Sequence, residues 1–113
     1  MTDETSELQL SIADTGAEVR VEVGGELDLR TCDVFLTQLD DLIEIGTGDV
    51  ALDLSAVSFC DSTALQALIE TRRRLLVMGR RLRVVQPSRP VDRVLWLSGL
   101  AEVFYLPAAA SDV

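Results

Sequence analysis

The chain has 113 residues, 48% of them hydrophobic, which fits one globular domain, because a chain of this size buries roughly two-thirds of its unfolded surface. A net charge of −9 argues against a nucleic-acid partner, since phosphate backbones attract basic surfaces. With neither lysine nor histidine, the chain lacks the parts for a Ser-His triad, a Ser-Lys dyad, a Schiff-base lysine, a Gly-Lys-Ser/Thr phosphate loop or a histidine metal site, and no cofactor is expected.

The opening residues 1–7, "MTDETSE", have no basic residue and no apolar core, so they read as a loose acidic tail rather than a secretory signal. Leu8, Leu10 and Ile12 then alternate with Gln9 and Ser11, and Val19, Val21 and Val23 with Arg20 and Glu22. Period two predicts half-buried strands, and "DTGA" between them supplies the turn of an antiparallel hairpin. After "ELDLRT", Thr31 is placed to cap a helix whose Phe35, Leu36, Leu39, Leu42 and Ile43 recur at three and four, with Gly46 as its stop. "DVALDLS" reads as a third strand. A second helix runs from about Ser62 to Met78, burying Leu65, Leu68, Ile69, Leu75 and Leu76, and ends at Gly79.

"LRVVQ" is a fourth strand stopped by Pro87, "SRPVDRVLWLSG" a short third helix with Pro90 in its first turn, and "VFYL" a fifth strand before Pro107. Residues 107–113 look loose. A hairpin followed by strands and helices in alternation gives an α/β domain over residues 8–106, with a mixed sheet of four to five strands covered by about three helices. The most apolar late stretch, "VLWLSGLAEVFYL", is shorter than the roughly 18–20 residues a bilayer requires, so no membrane partner is expected and the cytoplasm is the expected location.

Cys32 and Cys60 stand far apart and outside any CxxC pair, which reads as two buried free thiols rather than a metal site. Charge is lopsided: residues 1–50 carry thirteen acids against Arg20 and Arg30, and the other eight arginines fall between Arg72 and Arg93. Such a field orients a charged partner, or serves only solubility. Arg72 lies in the apolar stripe of the second helix and reads as a half-buried stem, with Arg73 and Arg74 on a solvated flank.

The polar triplet in "CDSTAL" admits two readings. In one, Ser62 or Thr63 caps the second helix while Asp61 sits near its positive end. In the other, a hydroxyl at the mouth of a helix, just after a strand, is displayed where another protein's active site reaches it. A phosphate there would gain only about 0.3–1 kcal/mol from the helix dipole, too little to refold a domain. At a contact surface, however, burying an unpaired dianion costs several kcal/mol, and about 4 kcal/mol is roughly a thousandfold in affinity.

Three patches, "GELD" (Gly25 to Asp28), "LDLS" (Leu52 to Ser55) and "VSFCDSTAL" (Val57 to Leu65), at this spacing, resemble the bacterial anti-sigma factor antagonists built on the STAS domain, over about Leu8 to Leu106. The last patch is similar to the family's apolar-x-Phe-x-Asp-Ser-Ser/Thr-Gly-Leu signature. The resemblance implies a single STAS domain that binds an anti-sigma factor which is also a serine kinase, so freeing a sigma factor. The kinase then phosphorylates the antagonist and releases it, and a serine phosphatase resets it. By motif match Ser62 is the phosphoacceptor, Asp61 its acidic neighbour and Thr63 a neighbouring cap hydroxyl, with Asp28 close to the same surface. Ala64 stands where the family usually has glycine, adding a methyl where a partner's backbone approaches, and Cys60 stands where a larger apolar residue is common. The alternative is an unphosphorylated STAS adaptor in a signalling scaffold or transport complex, which Ala64 motivates. An enzyme using Asp61 and Ser62 would have only a carboxylate as base, with no second carboxylate placed nearby by sequence, so none is expected.

Overall fold

The computed structural model describes residues 8–106; the two expected tails, 1–7 and 107–113, lie outside the described residues. The described chain folds as β1 (Leu8–Asp14), β2 (Glu18–Leu27), α1 (Cys32–Ile43), β3 (Asp49–Cys60), α2 (Ser62–Val77), β4 (Leu82–Pro87), α3 (Arg89–Ser98) and α4 (Ala101–Phe104). The strands form one sheet in the order β1-β2-β3-β4. β1 runs antiparallel to β2, with Leu10 opposite Val23, and the other pairs are parallel, with Val21 opposite Leu52 and Leu52 opposite Val84. This is the mixed sheet the sequence predicts, with four strands and four helices among the described residues.

Period-two alternation puts Val19, Val21, Val23, Val50, Leu52, Leu54, Leu82 and Val84 into the core, where they meet Phe35 and Leu39 of α1, Leu68 and Leu75 of α2, Leu95 of α3 and Phe104 of α4. The alternate positions carry polar side chains instead. There Arg20 pairs with Asp53 at 3.2 Å and Arg83 with Glu18 at 3.0 Å across the strands. No described helix is long and apolar enough to cross a membrane, a statement that does not bear on β-barrels.

Several expectations are corrected. The predicted fifth strand "VFYL" is not one: Ala101 to Phe104 form α4, because Ala101 and Phe104, three apart, both turn into the core and the amides bond backward, Phe104 to the Leu100 carbonyl and Tyr105 to that of Ala101. β3 extends beyond "DVALDLS" to Cys60, since β2 keeps pairing with it as far as Leu27 opposite Cys60, across two register shifts. Thr31 starts α1 without a side-chain cap, because its hydroxyl is committed to the preceding turn, donating to the Glu26 carbonyl at 2.7 Å and accepting from the Asp28 amide at 3.0 Å. α1 ends at Ile43, before Gly46.

In α2 the buried line is Ala64, Ala67, Leu68, Thr71 and Leu75, so Ile69 and Leu76 are exposed rather than buried. Small residues carry much of that line, which shifts it off the larger side chains. α2 ends where predicted, at Gly79, which takes a left-handed φ of 74° while its amide bonds to the Leu76 carbonyl and that of Arg80 to Leu75. Arg72 is half-buried; Arg73 and Arg74 are exposed, pairing with Glu70 and with Asp40 and Glu70 respectively.

Candidate functional site at the mouth of α2

Because β2 and β3 are parallel, their carboxyl ends arrive side by side. The Asp61 amide, one residue past β3, donates to the Leu27 carbonyl at 3.3 Å, so the loop from β2 to α1 adjoins the first turn of α2. A contact of 3.7 Å between Cys32 Sγ and the Thr63 carbonyl joins the beginnings of the two helices. Asp28 and the triplet Asp61, Ser62 and Thr63, far from it in sequence, are thereby placed at one end of the sheet, the end where open α/β sheets present their loops.

The capping geometry answers the question posed by the polar triplet. Asp61 is the N-cap of α2, in extended conformation, and its Oδ1 accepts from the amides of Thr63 at 2.9 Å and Ala64 at 3.4 Å. The reading in which Ser62 or Thr63 caps the helix is therefore overturned: the aspartate one residue earlier has the reach to do so. Ser62 is the first helical residue; it is exposed, and its hydroxyl has no hydrogen-bond partner among the described residues. Thr63 is half-exposed, with its amide held by Asp61, which is the cap of α2 in its place. Ala64 is 1% exposed and packs in the core, so its methyl offers no surface to a partner, contrary to the contact expected there.

Asp28 shapes the adjoining loop. Its Oδ1 accepts from the amides of Arg30 at 2.9 Å and Thr31 at 3.1 Å, and Oδ2 pairs with the Arg30 guanidinium at 3.1 Å. Partial burial pushes its carboxyl up, but the Thr31 amide and the Arg30 charge and donors outweigh this and hold it below the usual carboxylate range. The Arg30 guanidinium also reaches Glu26 at 2.9 Å, so the basic group of this loop is shared between two acids.

Both cysteines are free. Cys60 is buried as expected, whereas Cys32 is only half-buried. Burial, then the Asp61 charge, pushes the Cys60 thiol up to about 11; burial, Asp33 and Asp61 push that of Cys32 up as well. Neither is primed as a nucleophile.

Two apolar residues that the sequence reading did not single out are exposed in the segments that flank this site. Leu29 is 77% exposed and Phe59 48% exposed, two residues after Leu27 and two before Asp61, the pair joined by the hydrogen bond between strand ends. Leu29 follows Leu27 at strand spacing, but β2 ends at Leu27 and the chain leaves the sheet at Asp28. Phe59 turns outward where the register shifts between Gly25 and Glu26. An aromatic two residues before the capping aspartate was the available sign.

The chain is thus an α/β domain whose exposed serine stands beside a capping aspartate at the carboxyl end of a mixed sheet. The chain belongs to the STAS domain family: the family model described as "Mlab, STAS domain" matches residues 10–107. An anti-sigma-B factor antagonist from Staphylococcus epidermidis is 31% identical over 86 residues, covering 76% of this chain and 80% of that protein. The crystal structure of an anti-sigma factor antagonist from Mycobacterium paratuberculosis superposes with a TM-score of 0.74 at 26% identity, over 93% of this chain and 89% of that one. The Bacillus cell fate determinant SpoIIAA in its phosphorylated form shares the fold, with a TM-score of 0.65 at 22% identity over 93% of this chain and 94% of that one.

Proposed function

We propose that this protein is an anti-sigma factor antagonist controlled by phosphorylation at Ser62. Unmodified, the surface made by Asp28, Leu29, Phe59, Asp61, Ser62 and Thr63 docks on an anti-sigma factor with serine kinase activity, and the sigma factor is freed. Transfer of the ATP γ-phosphoryl group to Ser62 Oγ ends the complex, and hydrolysis by a serine phosphatase restores it. The observation that carries this reading is the exposed, unengaged Ser62 hydroxyl, left spare because Asp61 caps the helix. The names of its relatives support the partner class.

The switch follows from charge and exposure. A phosphate adds about −1.5 to −2 charges beside Asp61, in a region that already holds Asp28, Glu26 and Asp33. Before docking it is solvated and disturbs little. Docking strips its water, and the Arg30 guanidinium of the adjoining loop is already shared between Glu26 and Asp28, so it is not spare to pair the dianion. The partner therefore loses affinity while the fold persists. Leu29 and Phe59 supply apolar contact area whose burial is favourable only when that phosphate is absent.

Incubation with the partner kinase and ATP, followed by mass spectrometry, tests the assignment. Wild type gains one phosphoryl group and Ser62→Ala none; equal labelling of the two removes Ser62 from the role. Partner binding with no labelling of either favours the adaptor reading, although Ala64, which motivated it, lies in the core.

A further inference from the structure

Helix α3 presents a second unpartnered face. Val91 and Leu95 are buried, and on the opposite side Arg89, Arg93, Trp96 and Leu97 fall at spacings of three and four along one exposed stripe. Trp96 is 59% and Leu97 81% exposed. Elsewhere Arg20, Arg73, Arg74 and Arg83 each meet a carboxylate, but the guanidiniums of Arg89 and Arg93 pair with no described residue. Arg89, moreover, stands in the first turn, where the helix dipole disfavours a cation. Asp92 offers no relief, since it is engaged by the Tyr105 hydroxyl at 2.7 Å. Tyr105 also meets the Trp96 ring edge to face, with centroids 6.3 Å apart, which orders the tryptophan before any partner arrives.

We infer that this face docks an acidic amphipathic helix of another protein, its carboxylates on Arg89 and Arg93 and its apolar side chains on Trp96 and Leu97. Arginine and tryptophan are the side chains that contribute most to such contacts, and Arg89 and Arg93 stand about one helical turn apart along α3. An anionic membrane fits less well: stable attachment calls for clusters of about four to eight basic residues, and a chain of net charge −9 is repelled by such a surface. A short peptide carries few charges, and screening over about 8 Å at physiological salt leaves the local guanidiniums in control. A second copy of this chain in a two-fold contact would set the same arginines against one another, like charge to like. The inference stands apart from the Ser62 reading and does not require it.

Trp96 is the chain's only tryptophan and reports on this face directly. The intact protein is titrated with a synthetic helical peptide of glutamate, leucine and alanine, with its lysine-for-glutamate counterpart, and with phosphatidylserine vesicles. The acidic peptide is expected to shift Trp96 emission to the blue saturably and to protect it from acrylamide, the other two having no effect. Arg89→Glu combined with Arg93→Glu should weaken the peptide by at least about tenfold at an unchanged melting temperature, and the Arg89→Ala, Arg93→Ala pair should do so less strongly. The inference is overturned if the acidic peptide leaves Trp96 unmoved, if the variants bind as well as wild type, if the vesicles alone shift the emission, or if the emission follows protein concentration without peptide.

Discussion

Replacing Asp61 by alanine removes one carboxylate oxygen that holds the amides of Thr63 and Ala64, at 2.9 and 3.4 Å. Loss of an N-cap costs about 0.5–2 kcal/mol, and loss of the negative charge at the positive end of α2 about 0.3–1 kcal/mol more. The Asp61 backbone carbonyl still accepts from Ala64 and Leu65, so the helix frays only in its first turn. The expected total is roughly 1–3 kcal/mol, which for a domain of this size is a fall in Tm of roughly 4–12 °C. Asp61→Asn keeps an acceptor and should lose less. Ser62→Ala should stay within about 0.5 kcal/mol of wild type, since its hydroxyl bonds to nothing described. Thermal melts followed by circular dichroism, at one pH and salt, read all three. If Ser62→Ala costs as much as Asp61→Ala, the serine is the cap after all, and the reasoning that makes its hydroxyl spare is refuted.

The buried Arg80 makes a second stability prediction. Its Nε donates to the Gly48 carbonyl at 2.7 Å and Nη1 to that of Ile43 at 2.5 Å, so it supplies a cation to the carboxyl end of α1, whose own last turn has none. Arg80→Ala should lower stability by at least about 2 kcal/mol in urea titrations, and an unchanged midpoint would contradict the clamp. Cys60 predicts a dependence on alkaline pH. Its folded thiol is held at about 11 against an ordinary value of 9.0, so above pH 9 the unfolded chain ionises first and stability falls as pH rises between those values. Part of that slope should vanish in Cys60→Ala, measured as urea midpoints across the window; identical slopes would count against the burial of the thiol.

The two patterns that govern the fold, alternation in β1 to β4 and the three-four spacing of Phe35, Leu39 and Ile43, were readable because large apolar side chains carry them. The buried line of α2 was harder to see: Ala64, Ala67 and Thr71 are too small or too polar to stand out, and the eye passes to Ile69 and Leu76. "VFYL" has strand composition, but Gly99 ends α3 with a left-handed turn and the next residues bond back to it, Leu100 to the Leu95 carbonyl, before a strand has begun. The site was legible in its residue types at "CDSTAL" but not in its division of labour. Whether aspartate or serine caps depends on which of them has extended backbone, a one-residue matter that composition does not encode. Leu29 and Phe59 were hidden for a related reason, since Leu29 follows the point where β2 stops pairing with β3 and Phe59 the register shift just before it.

The most direct test of the switch is the affinity of the purified anti-sigma kinase for wild type, Ser62→Ala and Ser62→Asp, measured by calorimetry alongside the melting temperature of each. Wild type and Ser62→Ala are expected to bind within a few-fold of each other, while Ser62→Asp loses at least about tenfold and melts within a few degrees of wild type. Equal affinity of all three, or a loss in Ser62→Asp matched by unfolding, would contradict a switch that works by charge at the docking surface.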